Sequence, residues 1–167
     1  GEPCHLWWGT ISLRPPLREP MPTSESSGFL AGVIEGFYGQ PWTSAERLQL
    51  FDWMAAWGLN TYFYCLKDDW KNRAIWREDY TADELAGLGE LVRACRARGV
   101  NFLYGLSPGL DIRYSSDEDA ARLRRRFEQL LSVGCGHFAL LFDDIPDRIE
   151  PSDLSRWGSL ASAQSGV

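Results

Sequence analysis

Four short apolar segments alternate with helix-like segments along most of the chain, and this alternation limits the fold more than any other feature. The apolar segments have strand length and occupy residues 29–34, 60–66, 100–106 and 137–142. Three of the segments that follow them open with the Ser/Thr-x-x-Glu pattern of a capping box, at Thr43–Glu46, Thr81–Glu84 and Ser115–Glu118. A fourth helix is predicted to start near Ser152 and to run towards the C-terminus. The pattern predicts four strand–helix units.

Strict alternation of strands and helices is typical of a parallel sheet with helices packed outside it. Two α/β architectures fit: an open doubly wound sheet and a (β/α)8 TIM-type barrel. The chain has no Gly-x-Gly-x-x-Gly or Walker loop, which removes the usual nucleotide-binding case for the open sheet. A complete barrel takes about 250 residues. The 167 residues would therefore supply only about half of a barrel, and the residues alone leave both architectures open.

Residues 1–28 differ from the rest of the chain. Any regular element there is interrupted by Pro15, Pro16, Pro20 and Pro22, and residues 23–28 form a polar linker. We expect residues 1–28 to be a disordered or linker segment of unknown role, and residues 29–167 to form a separate folded domain.

Charge and composition exclude several classes of partner. The net charge of −6 argues against nucleic acid, because binding a phosphate backbone requires a basic face. No apolar run approaches the length of about 20 residues that spans a membrane, and the N-terminal residues lack the pattern of a signal peptide. The four cysteines have no metal-ligand spacing. We therefore expect a cytoplasmic or nuclear protein without membrane or nucleic-acid partners.

Polar residues and glycines follow all four predicted strands. These segments are Glu35–Gly39, Lys67–Asp69, Ser107–Asp111 and Asp143–Ile145. Ligands of parallel β/α folds bind at the carboxyl ends of the strands, because the strand-to-helix loops converge there. Four such ends in succession predict a functional site.

The adjacent carboxyls Asp143 and Asp144 are the strongest single feature of that site. Repulsion and partial desolvation can keep one of two neighbouring carboxyls protonated, which suits glycoside hydrolysis. A helix-capping Asp beside a solvated Asp is the alternative interpretation. Lys67 could donate to a sugar hydroxyl or neutralise the two acids that follow it. Gly36 could admit a ligand close to the backbone or only form a turn.

Several motifs in the same order resemble the catalytic domain of glycoside hydrolase family 84. They are Gly32–Gly39 with Pro41-Trp42, Asn60–Tyr62, Lys67–Asp69, Trp76–Glu78, Ser107–Asp111 and Phe138–Ile145. The resemblance covers about residues 29–146 and extends over many motifs, so it is far more specific than one motif match.

The resemblance implies a fold, an activity and a role for each matching residue. The fold is a (β/α)8 TIM-type barrel truncated to about four β/α units, so residues 29–167 would be the N-terminal half of a catalytic barrel, with unpaired sheet edges and one exposed apolar face. The activity is removal of β-linked N-acetylglucosamine from Ser or Thr of glycoproteins by substrate-assisted retaining hydrolysis, an exception to the two-carboxylate scheme. Asp143 would bind and polarise the 2-acetamido group, and Asp144 would act as general acid and base. Gly36 and Lys67 match positions that contact the sugar. No metal or other cofactor is implied, and dimerisation of full-length members is a further expectation.

Two alternatives stay open at this point. The resemblance stops where a second barrel half would begin, so the chain could be an inactive fragment that binds glycan or a partner protein. The acids at Asp68-Asp69 and Asp143-Asp144 could instead hold Mg²⁺ for phosphoester hydrolysis, although no loop that would bind phosphate is present.

Overall fold

The computed structural model describes residues 29–143, 145 and 148–167. The N-terminal segment, residues 1–28, lies outside the described residues, and so does the prediction of disorder made for it. The strands are β1 (Gly32–Glu35), β2 (Thr61–Tyr64), β3 (Asn101–Leu106) and β4 (His137–Leu140). The helices are α1 (Ser44–Trp57), α2 (Ala82–Arg96), α3 (Asp117–Ser132), α4 (Pro151–Trp157) and α5 (Leu160–Gly166). A short 3₁₀ helix, Trp70–Asn72, follows β2.

The four strands form one parallel sheet in the order β1-β2-β3-β4. Gly32 pairs with Thr61, which pairs with Asn101, and Leu103 pairs with His137. The predicted four-unit α/β alternation and the parallel sheet are thus confirmed. All four carboxyl ends point to the same edge of the sheet, which we call the mouth.

Helices α1, α2 and α3 lie side by side against one face of the sheet. Thr43 and Thr81 each form the complete predicted capping box. Helix α1 ends at Gly58, whose φ of +73° belongs to the left-handed region that glycine adopts without strain. Phe51 of α1 contacts Tyr62 of β2 edge-on, with ring centroids 4.8 Å apart, inside the buried core between helices and sheet.

Two predicted helix boundaries were wrong. The N-cap of α3 is Ser116, which accepts from the backbone N–H of Asp119, and not Ser115. The backbone N–H of Ser115 donates to Asp153, 38 residues further on, and this long-range contact moves the helix start. The single C-terminal helix is in fact two helices, α4 and α5, because Gly158 ends the first with a φ of +76°.

The opposite face of the sheet has no helix layer within the described part of the chain. Ile34 is 61% exposed on that face, and it lines an apolar groove with Phe63, Leu103 and their neighbours. A parallel sheet is normally covered on both faces, so the predicted exposed apolar face is confirmed. Within the described ranges, no helix combines the length and the apolar character required to cross a membrane.

Candidate active site

An ion pair joins the ends of two non-adjacent strands at the mouth. The ammonium group of Lys67, just after β2, donates to Oδ2 of Asp143, which follows β4. The Lys67 side chain is only 10% exposed, whereas that of Asp143 is 50% exposed. Strand β3 lies between the two strands, so the pair spans the mouth and leaves the carboxylate accessible from solvent.

Positive charge keeps Asp143 ionised. The hydrogen bond from Lys67 holds the pKa of the Asp143 carboxyl below its ordinary value, and the charge of Arg73 acts in the same direction. Arg73 also donates to the Tyr38 hydroxyl at 2.7 Å and lies against its ring. Arg73 was not among the predicted site residues. Its position six residues after Lys67, in the same strand-end loop, is the signal that could have identified it as part of the site.

Gly36 follows β1 at the same edge and leaves no room for a side chain. A β-carbon at Gly36 would lie 2.9 Å from Sγ of Cys65 and 3.1 Å from the side chain of Ile34. Burial raises the pKa of the Cys65 thiol to about 11, so this thiol stays protonated near neutral pH. The backbone at Gly36 therefore stays bare, as close approach of a ligand requires.

Asp144, the second carboxyl of the predicted pair, lies outside the described residues. Asp143 is the last described residue before it, at the mouth beside Lys67. The assignment of Asp144 as acid and base stays a prediction from the sequence.

Glu35, which the strand-end pattern grouped with the site, faces away from it. Its carboxylate is fully buried and forms two hydrogen bonds of 2.8 Å with Arg47 of α1. The backbone N–H of Trp42 and the hydroxyl of Tyr62 also donate to it. With its oxygens occupied by protein donors, Glu35 is a structural residue, and only the glycine after it belongs to the mouth.

The two acids after Lys67 also have structural partners. Asp68 accepts from the backbone N–H of Gly39 at 2.7 Å and so ties the loop after β2 to the loop after β1. Asp69 caps the 3₁₀ helix and accepts from the hydroxyls of Tyr64 and Tyr80, both at 3.1 Å. Lys67 is thus paired with Asp143 rather than with the acids beside it.

The loop after β3 is held by Arg77, to which the sequence analysis gave no role. Arg77 donates to Asp111 at 2.6 Å and, through two nitrogens, to Asp119 at 2.7 Å each. Trp76 donates to the same Asp111 at 2.9 Å. Asp111 is therefore an anchor for its loop.

The chemistry available at the mouth is that of an ionised, solvent-accessible carboxylate beside a bare backbone and a lysine. An ionised carboxylate can accept a hydrogen bond and stabilise developing positive charge on a ligand. In the described part of the chain, no group of three or more His, Cys, Asp or Glu side chains could hold a metal ion.

Comparisons with known proteins add independent observations. A family model described as beta-N-acetylglucosaminidase matches residues 31–167. Protein O-GlcNAcase of Rattus norvegicus and that of Mus musculus are each 44% identical to the chain over 139 residues, which is 83% of this chain and 15% of each relative. The chain thus spans only about a seventh of the length of these curated relatives.

A solved structure extends the likeness to three dimensions. A mutant of the O-GlcNAc hydrolase of Thermobaculum terrenum matches with a TM-score of 0.78 and 39% sequence identity. The match covers 81% of this chain and 30% of the bacterial chain.

Proposed function

This chain belongs to the beta-N-acetylglucosaminidase family, and on that basis we propose that it supplies part of a glycoside hydrolase that removes β-linked N-acetylglucosamine from Ser and Thr of glycoproteins. The observation that carries the proposal is the Lys67–Asp143 pair at the mouth, beside the bare backbone of Gly36. It supplies an ionised carboxylate at the carboxyl ends of the strands, where β/α folds bind their ligands, and family relatives are named for acting on O-linked N-acetylglucosamine.

In the proposed first step, the carbonyl oxygen of the substrate's own 2-acetamido group attacks the anomeric carbon. Asp143 accepts a hydrogen bond from the acetamido N–H and stabilises the positive charge that develops there. The bond to the Ser or Thr oxygen breaks, and Asp144 gives that oxygen its proton. The ring formed is an oxazoline that is still protonated on nitrogen, and the Asp143 carboxylate balances its positive charge.

In the second step, water adds to the anomeric carbon and Asp144 takes its proton. As water attacks, the bond from the ring oxygen of the oxazoline to the anomeric carbon breaks and the 2-acetamido group is restored. Because each of the two attacks inverts the anomeric carbon, its configuration is retained overall. Lys67 has a double part in this scheme: it contacts the sugar and keeps Asp143 ionised. Every step uses only the substrate, water and these side chains, so no metal or other cofactor is required.

We further propose that residues 29–167 are half of a (β/α)8 barrel. Edge strands β1 and β4 each lack an outer neighbour within the described residues, and the apolar inner face is open. Trp53 and Trp57 stack on the exposed side of α1, with ring centroids 6.2 Å apart. A second half of four strand–helix units would cover the two edge strands, the apolar inner face and this side of α1.

The partners proposed are proteins that carry O-linked N-acetylglucosamine, in the cytoplasm or nucleus, with dimerisation of the full-length protein as a further expectation. Where the relatives' names state a substrate, it is this modification.

Hydrolysis by the full-length protein tests the function. The substrates are an O-GlcNAc-modified peptide, a nitrophenyl N-acetylglucosaminide and the matched nitrophenyl glucoside, which has no acetamido group. We expect turnover of the first two only, with full activity in EDTA. Strict dependence on a divalent ion would favour the phosphoesterase alternative. Residues 1–167 are assayed in parallel, and binding without turnover by this chain alone would favour the inactive fragment, an alternative that the open inner face supports.

Two substitutions test the assignment of the carboxyls. Asp144→Asn removes proton transfer and should cost about 10²–10⁴-fold with the peptide, whose leaving group is poor. The loss should be much smaller with the nitrophenyl substrate, which leaves without a proton. Asp143→Asn should reduce turnover of both substrates, because it weakens the acetamido attack that they share. Equal losses on both substrates in both variants would mean that the roles are misassigned.

A further inference from the structure

We propose that Arg77 is a positioning residue for the catalytic segment: it fixes the loop at 107–112 against the residues that carry Asp143. The inference rests on the proposed function, since it concerns the placement of the carboxylates assigned there. Arg77 donates to Asp111 and Asp119, so it would act on the Lys67–Asp143 pair through this loop, which we call the β3–α3 loop.

Arg77 fastens the β3–α3 loop at its end. Its guanidinium donates to the carboxylate of Asp111 at 2.6 Å and to the backbone carbonyl of Asp111 at 2.9 Å. The other edge of the same guanidinium forms the two-pronged contact with Asp119, the first-turn acid of α3. One planar side chain therefore locks the end of the loop to the helix that follows it.

Burial and further donors strengthen this clamp. Burial alone would raise the pKa of Asp119, but the hydrogen bonds from Arg77 and from the backbone N–H of Arg113 outweigh it and lower that pKa. The guanidinium also lies over the ring of Trp76, 4.3 Å from its centroid. A lysine could not reproduce the planar set of four contacts, because it offers a single nitrogen.

The β3–α3 loop supports the segment after β4. The start of the loop is fixed as well, because the backbone N–H of Ser107 donates to the carbonyl of Asn72 at 3.0 Å. Between its two fixed ends, Gly109 lies so close to the next segment that an added β-carbon would overlap Cγ2 of Ile145 and lie 3.4 Å from Phe142. Phe142 and Ile145 stand on either side of Asp143 and Asp144 in the chain.

The contacts of Arg77 with Asp111 and Asp119 can therefore affect the segment that carries Asp143 through the contact between Gly109 and Ile145. If the end of the loop is released, Gly109 can move away from Ile145, and the segment loses the surface against which it packs. A displacement of about 1 Å at a catalytic group can cost as much as 10²-fold in rate. Lys67 follows β2 and Gly36 follows β1, so the substrate contacts proposed for these two residues should be largely kept.

Arg77→Lys in the full-length protein tests the inference, with Arg125→Lys as the matched control. Arg125 forms an exposed ion pair with Asp79 on the outside of the molecule. We expect kcat to fall about 10- to 100-fold in Arg77→Lys, with KM changed less than threefold. The control should keep both constants. An unchanged kcat in Arg77→Lys, in a wild-type protein that turns over, would overturn the positioning role while leaving the proposed function intact.

Hydrogen exchange gives a readout that does not depend on activity. In Arg77→Lys we expect peptides covering 105–113 and 138–145 to lose protection together, while α1 keeps its protection. Faster exchange confined to 105–113 would show that Arg77 stabilises only the β3–α3 loop, and it would contradict the proposal. If the wild-type protein shows no turnover, the proposed function fails, and exchange alone still decides whether Arg77 holds the segment.

A second variant reaches the same contact from the loop side. Gly109→Ala should push against Ile145 and lower kcat with the same small change in KM. Ile145→Ala in the same chain removes the colliding methyl group and should restore part of the lost rate. No recovery in the double variant would show that Gly109 does not act through Ile145.

Discussion

Glu35 ends β1 and Asp143 follows β4 of the same sheet, yet the surroundings of the two carboxylates are opposite. Glu35 points into the helix layer, is fully buried, and has its oxygens occupied by protein donors. Asp143 lies at the mouth, is half exposed, and is paired with Lys67. We infer that a strand-end carboxylate becomes a candidate for function when it leaves oxygen atoms free for a ligand.

The difference also separates two kinds of energetic contribution. A buried, fully paired carboxylate stabilises the fold only as long as its partner is present, because removing either one leaves an uncompensated charge. A half-exposed carboxylate contributes little to stability, since solvent screens its ion pair. Glu35 should therefore control folding and Asp143 should control catalysis, and each can be tested against the other.

The largest expected effect is on stability at Glu35. Glu35→Gln leaves the buried guanidinium of Arg47 without a counter-charge and should cost about 3–5 kcal/mol of unfolding free energy. Urea unfolding measures the loss. The double variant Glu35→Leu with Arg47→Met removes both charges and should lose much less. A single variant as stable as the wild type would contradict the structural role of Glu35.

The next effect is on activity, at Asp143. Asp143→Asn keeps the shape of the side chain but removes the negative charge that assists the acetamido attack. We expect kcat/KM to fall about 10²–10³-fold, while the unfolding free energy falls by less than in Glu35→Gln, because water still reaches the half-exposed carboxylate. The two quantities should therefore respond in the reverse order to Glu35→Gln. A large stability loss in Asp143→Asn would erase the distinction between the two carboxylates.

A smaller effect concerns pH. Lys67 lowers the pKa of Asp143, so the ionised form persists further into acid than it otherwise would. In Lys67→Met that pKa should rise, and the acid limb of the kcat/KM profile should move to higher pH. Lys71→Met is the matched control, because Lys71 pairs with Glu84 away from the mouth. An unmoved limb in Lys67→Met would mean that Lys67 does not set the ionisation of Asp143.

The sheet and its order could be predicted from the sequence because they depend on a repeated local signal. Apolar strands alternate with capped helices, and at Thr43 and Thr81 the cap lies within four residues of the group that it satisfies. The prediction that α3 is capped by Ser115 was wrong because the true start of this helix depends on a distant contact. Ser115 is held by Asp153, and a contact across 38 residues leaves no trace in the local pattern.

The site could be predicted only in part. The strand-end rule selected Lys67 and Asp143, which the sheet brings together across 76 residues, and their roles in catalysis stay predictions. It also selected Glu35, because β1 reads Gly-Val-Ile-Glu and is apolar on both faces. In a strand, neighbouring side chains point to opposite faces, and such a pattern does not reveal which face is the mouth. The hydrogen bond from Arg47, which lies twelve residues further on in α1, shows that the Glu35 carboxylate is on the helix side of the sheet.

The smallest expected effect belongs to a third kind of carboxylate, Asp79, which follows the 3₁₀ helix at the protein surface. It pairs with Arg125, whose hydrogen bond lowers the pKa of Asp79, and both side chains are largely in contact with solvent. An exposed ion pair is screened by water and salt and pays the entropy of ordering two side chains. Asp79→Asn should therefore leave both the urea unfolding midpoint and kcat/KM within experimental error, at low salt as well as at high salt. A clear loss of stability would show that charge pairing alone, without burial, holds this fold, and the contrast between Glu35 and Asp143 would then need a cause other than desolvation.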